Sequence, residues 1–125
     1  MSAEDVDLAE RFRAAVDAAF ATGDREGVYE LFADDIEYTT PRRTLRGLHE
    51  VREKLSWGSG ALENLDAERQ EGEWHDLGDG HVVSEDRVVQ RWKETGEIAA
   101  IMLLSVDLRI RDGKITRLER RSRPE

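Results

Sequence analysis

The fold is decided by Ile98-Ala99-Ala100-Ile101-Met102-Leu103-Leu104-Ser105-Val106-Asp107-Leu108-Arg109-Ile110-Arg111-Asp112-Gly113-Lys114-Ile115. From Ile98 to Ile110 every even position is apolar: Ile98, Ala100, Met102, Leu104, Val106, Leu108 and Ile110. A period of two kept over that length predicts a long strand with one buried face. Asp112-Gly113 between two alternating runs predicts a two-residue hairpin turn into a last strand, Lys114 to about Arg123. Upstream, Gly78-Asp79-Gly80 and Glu94-Thr95-Gly96 are turn strings that separate strands over about Ala67–Asp76, His81–Lys93 and Gly96–Asp112. Further back the period changes. Leu8, Phe12, Val16, Ala19 and Phe20 form one stripe of a helix from about Val6 to Ala21. Gly23 ends it, and Asp24 is a cap for a short second helix burying Val28, Leu31 and Phe32. A strand Ile36–Thr40 closes at Pro41, and Gly47 opens a third helix with Leu48, Val51 and Leu55 inside, Trp57 near its end and Gly58-Ser59-Gly60 beyond. Helices followed by a long meander predict an α+β cone, in which a curved, mostly antiparallel sheet wraps a pocket. With no repeat or linker, residues 1–125 read as one domain.

Composition narrows the classes of function. A net charge of −9 argues against nucleic acid or an anionic membrane as partner. The one basic cluster, Arg117, Arg120, Arg121 and Arg123, reads as a solvated terminal strand. No run reaches the roughly 18 apolar residues of a membrane span, and Met1-Ser2-Ala3-Glu4-Asp5 lacks a signal-peptide core. Without cysteine there is no disulfide or thiolate chemistry, and the default location is cytoplasmic. His49, His75 and His81 lack the paired spacing of a metal site. Neither a metal nor a cofactor is called for. Asp34-Asp35 reads as a turn cap rather than a carboxylate dyad.

Several strings carry a resemblance across nearly the whole chain. Phe20-Ala21-Thr22-Gly23-Asp24, Leu31-Phe32-Ala33-Asp34-Asp35-Ile36, Leu45-Arg46-Gly47-Leu48-His49-Glu50-Val51 and Arg111-Asp112-Gly113-Lys114-Ile115 resemble, in that order, the nuclear transport factor 2-like superfamily. Within it the chain is most similar to the SnoaL-like group, related to ketosteroid isomerases and limonene epoxide hydrolases. The resemblance implies a cone whose pocket lies between the concave sheet and the N-terminal helices, and a dimer through the sheet. It does not by itself assign an activity.

Isomerase chemistry needs a carboxylate base and donors for the enolate oxygen. The resemblance puts the base at Thr40, the helix tyrosine at Val16 and the acid at Val106, so all three groups are missing. For the hydrolases, Tyr38-Thr39-Thr40 resembles the Tyr-x-Asn element that holds the nucleophilic water. The family arginine falls at Asp86, the acid at Val88 and the second aspartate near Arg120. A one-residue bulge instead puts Arg87 at the arginine and Val89 at the acid. Either register loses the acid. Candidate catalytic residues are therefore Tyr38, Thr40, Asp86 and Arg120, with Asp86 and Arg120 expected as an ion pair in or beside the pocket. Candidate ligand-lining residues are Phe12, Val16, Tyr38, Trp57, Trp74, Met102, Leu104 and Val106. Trp74 and Trp92 share the inward strand phase with Gln70, Val88 and Gln90. So apolar a lining suits a hydrophobic or aromatic small molecule. An epoxide-hydrolase- or isomerase-like enzyme with a rearranged site is an alternative, and so is a non-catalytic interaction module. Ala99, Ile101 and Leu103, with Val83 and Val89, form an apolar outer face that predicts a homodimer.

Overall fold

A period of two, a period near 3.6 and two Asp-Gly turns translate directly into the architecture of the computed structural model, which describes residues 3–55 and 64–125. The helices are α1 (Ala3–Thr22), α2 (Glu26–Tyr29) and α3 (Leu48–Lys54). The strands are β1 (Phe32–Thr39), β2 (Thr44–Arg46), β3 (Leu65–Gln70), β4 (His75–Gly78), β5 (His81–Trp92), β6 (Ile98–Arg111) and β7 (Lys114–Pro124). Trp57 and the Gly58-Ser59-Gly60 string lie outside the described residues. The strands run in the order β2-β1-β7-β6-β5-β3, with β4 also on β5. Among the described strands only the β1–β7 pairing is parallel, so the sheet is mostly antiparallel and the fold is α+β.

Both hairpin turns close as two-residue loops. Asp79 and Gly80 have φ of 53° and 76°, Asp112 and Gly113 54° and 75°, the positive pair that matches strand twist. Their flanking residues pair as Gly78↔His81 and Arg111↔Lys114. Asp24 accepts a hydrogen bond from the Glu26 amide at 3.1 Å, which ties down the start of α2.

The core lies between the concave sheet face and α1. Ile36, Val82, Leu108, Ile115 and Leu118 of the sheet are fully buried against Leu8, Ala9, Phe12 and Ala19 of α1. Each burial of a Val, Leu, Ile or Phe among them contributes about 1.5–3 kcal/mol. Phe32 is the aromatic hub, with ring centroids 6.1 Å from Phe12, 6.5 Å from Tyr29 and 6.2 Å from Tyr38.

Four local expectations are corrected. Phe32 belongs to β1, not to the second helix, and β1 begins four residues ahead of Ile36. The Ala67–Asp76 strand is two strands, β3 and β4, set end to end along β5. Between them Gly72 comes so near β5 that a Cβ there would strike the Glu85 carbonyl oxygen, and its amide bonds a side chain instead of the ladder. Gln70 pairs with Arg87 on the convex face, and the inward residues of β3 are Leu65, Ala67 and Arg69. Finally, Trp92 ends β5 at 47% exposure, and a bulge sets Ile98 opposite Arg91, outside the inward series and 52% exposed.

Candidate functional site

The concave face does not close completely on α1. A cavity of about 70 Å³ remains. Phe12, Val16 and Phe20 of α1, Val28, Phe32, Leu55 and Trp74 form apolar walls, and Leu104 and Val106 of β6 form the floor. Five polar side chains share the lining: Arg13, Tyr38, Arg69, Asp86 and Arg120.

Asp86 is the anchor of one polar group. Strand alternation turns it inward from the middle of β5, opposite Leu104, and its side chain is only 12% exposed. The Gly72 amide donates to Oδ1 at 2.8 Å and Arg13 Nη2 at 3.3 Å, while Arg69 Nε lies 3.9 Å from Oδ2. Arg13 also donates to Ser84 Oγ at 2.7 Å, and its guanidinium sits 4.9 Å from the centroid of the Trp74 ring, a cation–π distance. Arg69 bonds Asp17 at 2.5 Å and Glu71 at 2.7 Å. Burial opposes the Arg69 charge, but these carboxylates hold its pKa above the ordinary arginine value. A carboxylate so enclosed is tolerated because it is paired and hydrogen-bonded.

The second polar group is smaller. Arg120 Nη1 donates to the Tyr38 hydroxyl at 3.3 Å. Tyr38 and Arg120 reach the cavity from β1 and β7, where Tyr38↔Leu118 and Val106↔Arg120 are in register. Among the described residues one buried side-chain polar atom stands alone: the Trp74 indole Nε1 has no hydrogen-bond partner.

Residues 12–118 match the SnoaL-like domain family, most of the chain. The chain belongs to that family. No curated protein matches it. An NTF2-like protein from Burkholderia xenovorans shares the fold with a TM-score of 0.71 at 22% identity, over 98% of this chain and 92% of that one. TerC, co-crystallised with polyporic acid, gives 0.63 at 22%, over 94% and 90%. A limonene-epoxide-hydrolase-like epoxide hydrolase of Mycobacterium tuberculosis gives 0.63 at 16%, over 96% and 83%. At these identities the likeness shows the nuclear transport factor 2-like fold alone.

Within this SnoaL-like cone the sequence-derived candidates divide. Phe12, Val16, Tyr38, Trp74, Leu104, Val106, Asp86 and Arg120 meet at this cavity. Met102 shares the strand phase but lies one step past the floor, opposite Val88 and Pro124. Trp57 lies outside the described residues. Thr40 does not line the cavity: it sits past the end of β1, where its Oγ accepts from the Arg42 and Arg43 amides at 3.4 Å and closes the turn into β2. The expected Asp86–Arg120 ion pair is not formed. Asp86 pairs with Arg13 and Arg69, and Arg120 turns to Tyr38. Arg13 and Arg69 join the site without being among the sequence-derived candidates. For Arg13 the signal was its position between Phe12 and Val16, from which a long side chain can run along an apolar surface to reach a charge. Among the described residues, no group of His, Asp or Glu is arranged to hold a metal ion.

Proposed function

We propose that residues 1–125 are one SnoaL-like domain that binds an apolar or aromatic small molecule in the cone, without a cofactor. The observation that carries this reading is the open cavity with aromatic walls, Phe12, Phe32 and Trp74, around few polar groups, the composition of a small-molecule site. That a fold relative was co-crystallised with polyporic acid is consistent with it. Preferential binding to the native state raises apparent stability. A thermal-shift screen over lipids, steroids, polyketides and terpene epoxides should therefore give hits, and substitution of Val106 by Trp should abolish them. A flat screen would favour an interaction module instead.

A second reading is an enzyme with a rearranged site, favoured by the meeting of Tyr38, Asp86 and Arg120 at one cavity. Thr40 has no part in it, since its hydroxyl closes a turn. Valine at positions 16 and 106 offers no hydrogen bond to an enolate, so turnover of 3-oxo steroids is expected to be nil. A homodimer through the convex sheet face and a cytoplasmic location complete the proposal. No described helix is long and apolar enough to cross a membrane.

A further inference from the structure

We infer that the ligand of the cone carries an oxyanion, a carboxylate or an ionised enol, received by Arg120 and Tyr38 while the aromatic walls take its apolar body. The inference rests on the small-molecule reading above and adds to it the charge of the ligand. It comes from a mismatch between donors and acceptors in the cavity. The carboxylate of Asp86 is already engaged by the Gly72 amide, Arg13 and Arg69. Arg13 and Arg69 are in turn committed to carboxylates, Arg13 to Asp86 and Glu71, Arg69 to Asp17, Glu71 and Asp86.

Arg120 differs from both. Its hydrogen bond goes to a neutral hydroxyl, and among the described residues it has no carboxylate partner. Because the Tyr38 oxygen accepts that bond, its own proton is left to donate, and no acceptor for it is found among the described residues. The buried Trp74 N–H also lacks an acceptor. Two donors, the Arg120 guanidinium and the Tyr38 hydroxyl, therefore reach the cavity with no acceptor for them found there among the described residues. A cationic ligand would meet three guanidinium groups, Arg13, Arg69 and Arg120, against the single carboxylate of Asp86, which Arg13 and Arg69 already pair. An anion supplies what is missing, and the planar guanidinium fork presents parallel N–H groups that fit a carboxylate.

Register adds a dimension. Arg120 is opposite Val106, and Val106 is opposite Ser84, the residue bonded by Arg13. Two strand spacings, about 10 Å, separate the two backbone positions. Between them lies the apolar floor of Leu104 and Val106. A flat ring resting on that floor would carry its acidic end at Arg120. The small cavity suits a single ring or a fused pair better than a four-ring skeleton.

The test titrates 2-naphthoate, 2-naphthamide and 2-naphthylmethanol into the full chain at neutral pH by calorimetry. Naphthoate is expected to bind at least about tenfold more tightly than its neutral isosteres, as a charge-assisted bidentate contact requires. Arg120→Gln should remove the preference for naphthoate over the amide, and Arg120→Lys should restore part of it. Tyr38→Phe, which keeps the ring and removes the O–H, should weaken naphthoate selectively. Near-ultraviolet circular dichroism verifies that each variant is folded. Amide or alcohol binding as tightly as naphthoate overturns the inference and leaves the small-molecule reading standing. No binding by any of the three overturns the inference, and a flat thermal-shift screen alongside it overturns that reading too.

Discussion

Asp86 is stable inside the cone only because of its neighbours. Its carboxylate has a backbone amide at 2.8 Å and two guanidinium groups within 4 Å, and Arg13 on the other side of the pair is itself only 16% exposed. Removing one member of such a pair leaves an uncompensated charge, which typically costs about 3–5 kcal/mol. Asp86→Ala should therefore lower unfolding free energy by about that amount in urea titrations. Asp86→Asn keeps an acceptor for the Gly72 amide and should cost less. Equal and small effects for both variants would mean that the carboxylate is solvated. The same residue explains why the chain tolerates a break in its edge strand. With Gly72 donating to Asp86 instead of to a strand partner, the backbone is satisfied without a ladder bond.

Two hairpins built on the same Asp-Gly string differ in what surrounds the glycine. Gly113 has φ of +75° and open space where a Cβ would go, so Gly113→Ala should cost only the left-handed backbone strain, about 1–2 kcal/mol. Gly80 has φ of +76°, and a Cβ there would strike the Ile110 carbonyl oxygen, while its own carbonyl accepts the Ile110 amide at 2.8 Å. Gly80→Ala should lower Tm well beyond Gly113→Ala; equal shifts would contradict this packing. The contrast marks how far elements can be read from sequence. β6 and its turn were legible because one buried face stamps a period of two on the residues. The β3–β4 edge was not, because nearly every residue from Leu65 to Gly78 is exposed and selection for an apolar face is absent. Tyr38, Leu104 and Val106 could be assigned to the inner face by phase. Arg69 could not, since its inward position depends on a pairing register that polar neighbours do not encode.

Across the whole molecule the exposed surface carries charge, and its acid response follows from two carboxylates, Glu26 on α2 and Glu125 after β7. Hydrogen bonding to Arg52 lowers the Glu26 pKa below the ordinary 4.5, and hydrogen bonding to Arg87 does the same for Glu125. A carboxyl with a depressed folded pKa stabilises the fold above its unfolded value, and the contribution is lost as pH falls through the folded value. Stability should thus be flat above about pH 5 and decline below 4.5, weakly because both pairs are exposed and screened by salt. Glu125→Gln should remove part of that decline. The convex sheet face bears on assembly. Ile101 and Leu103 point outward from β6, with Val89 opposite Ile101 and the bulge bringing exposed Ile98 to the same side. Val83 stands apart, opposite Asp107. Arg87 bonds Glu125 and Arg123 bonds Glu85 on either side of Leu103, so the apolar strip has a charged border. An apolar strip with a polar rim is the anatomy of an interface between copies, and a two-fold axis would set the strip against itself. We expect a dimer by light scattering at micromolar concentration, and monomers from Ile101→Lys or Leu103→Lys, since a lysine at the centre of the strip would face its own copy across the axis. Val83→Lys, outside the strip, should leave the dimer intact. A native protein that scatters as a monomer would sink the proposal, and dissociation by Val83→Lys alone would move the interface to the other end of the sheet.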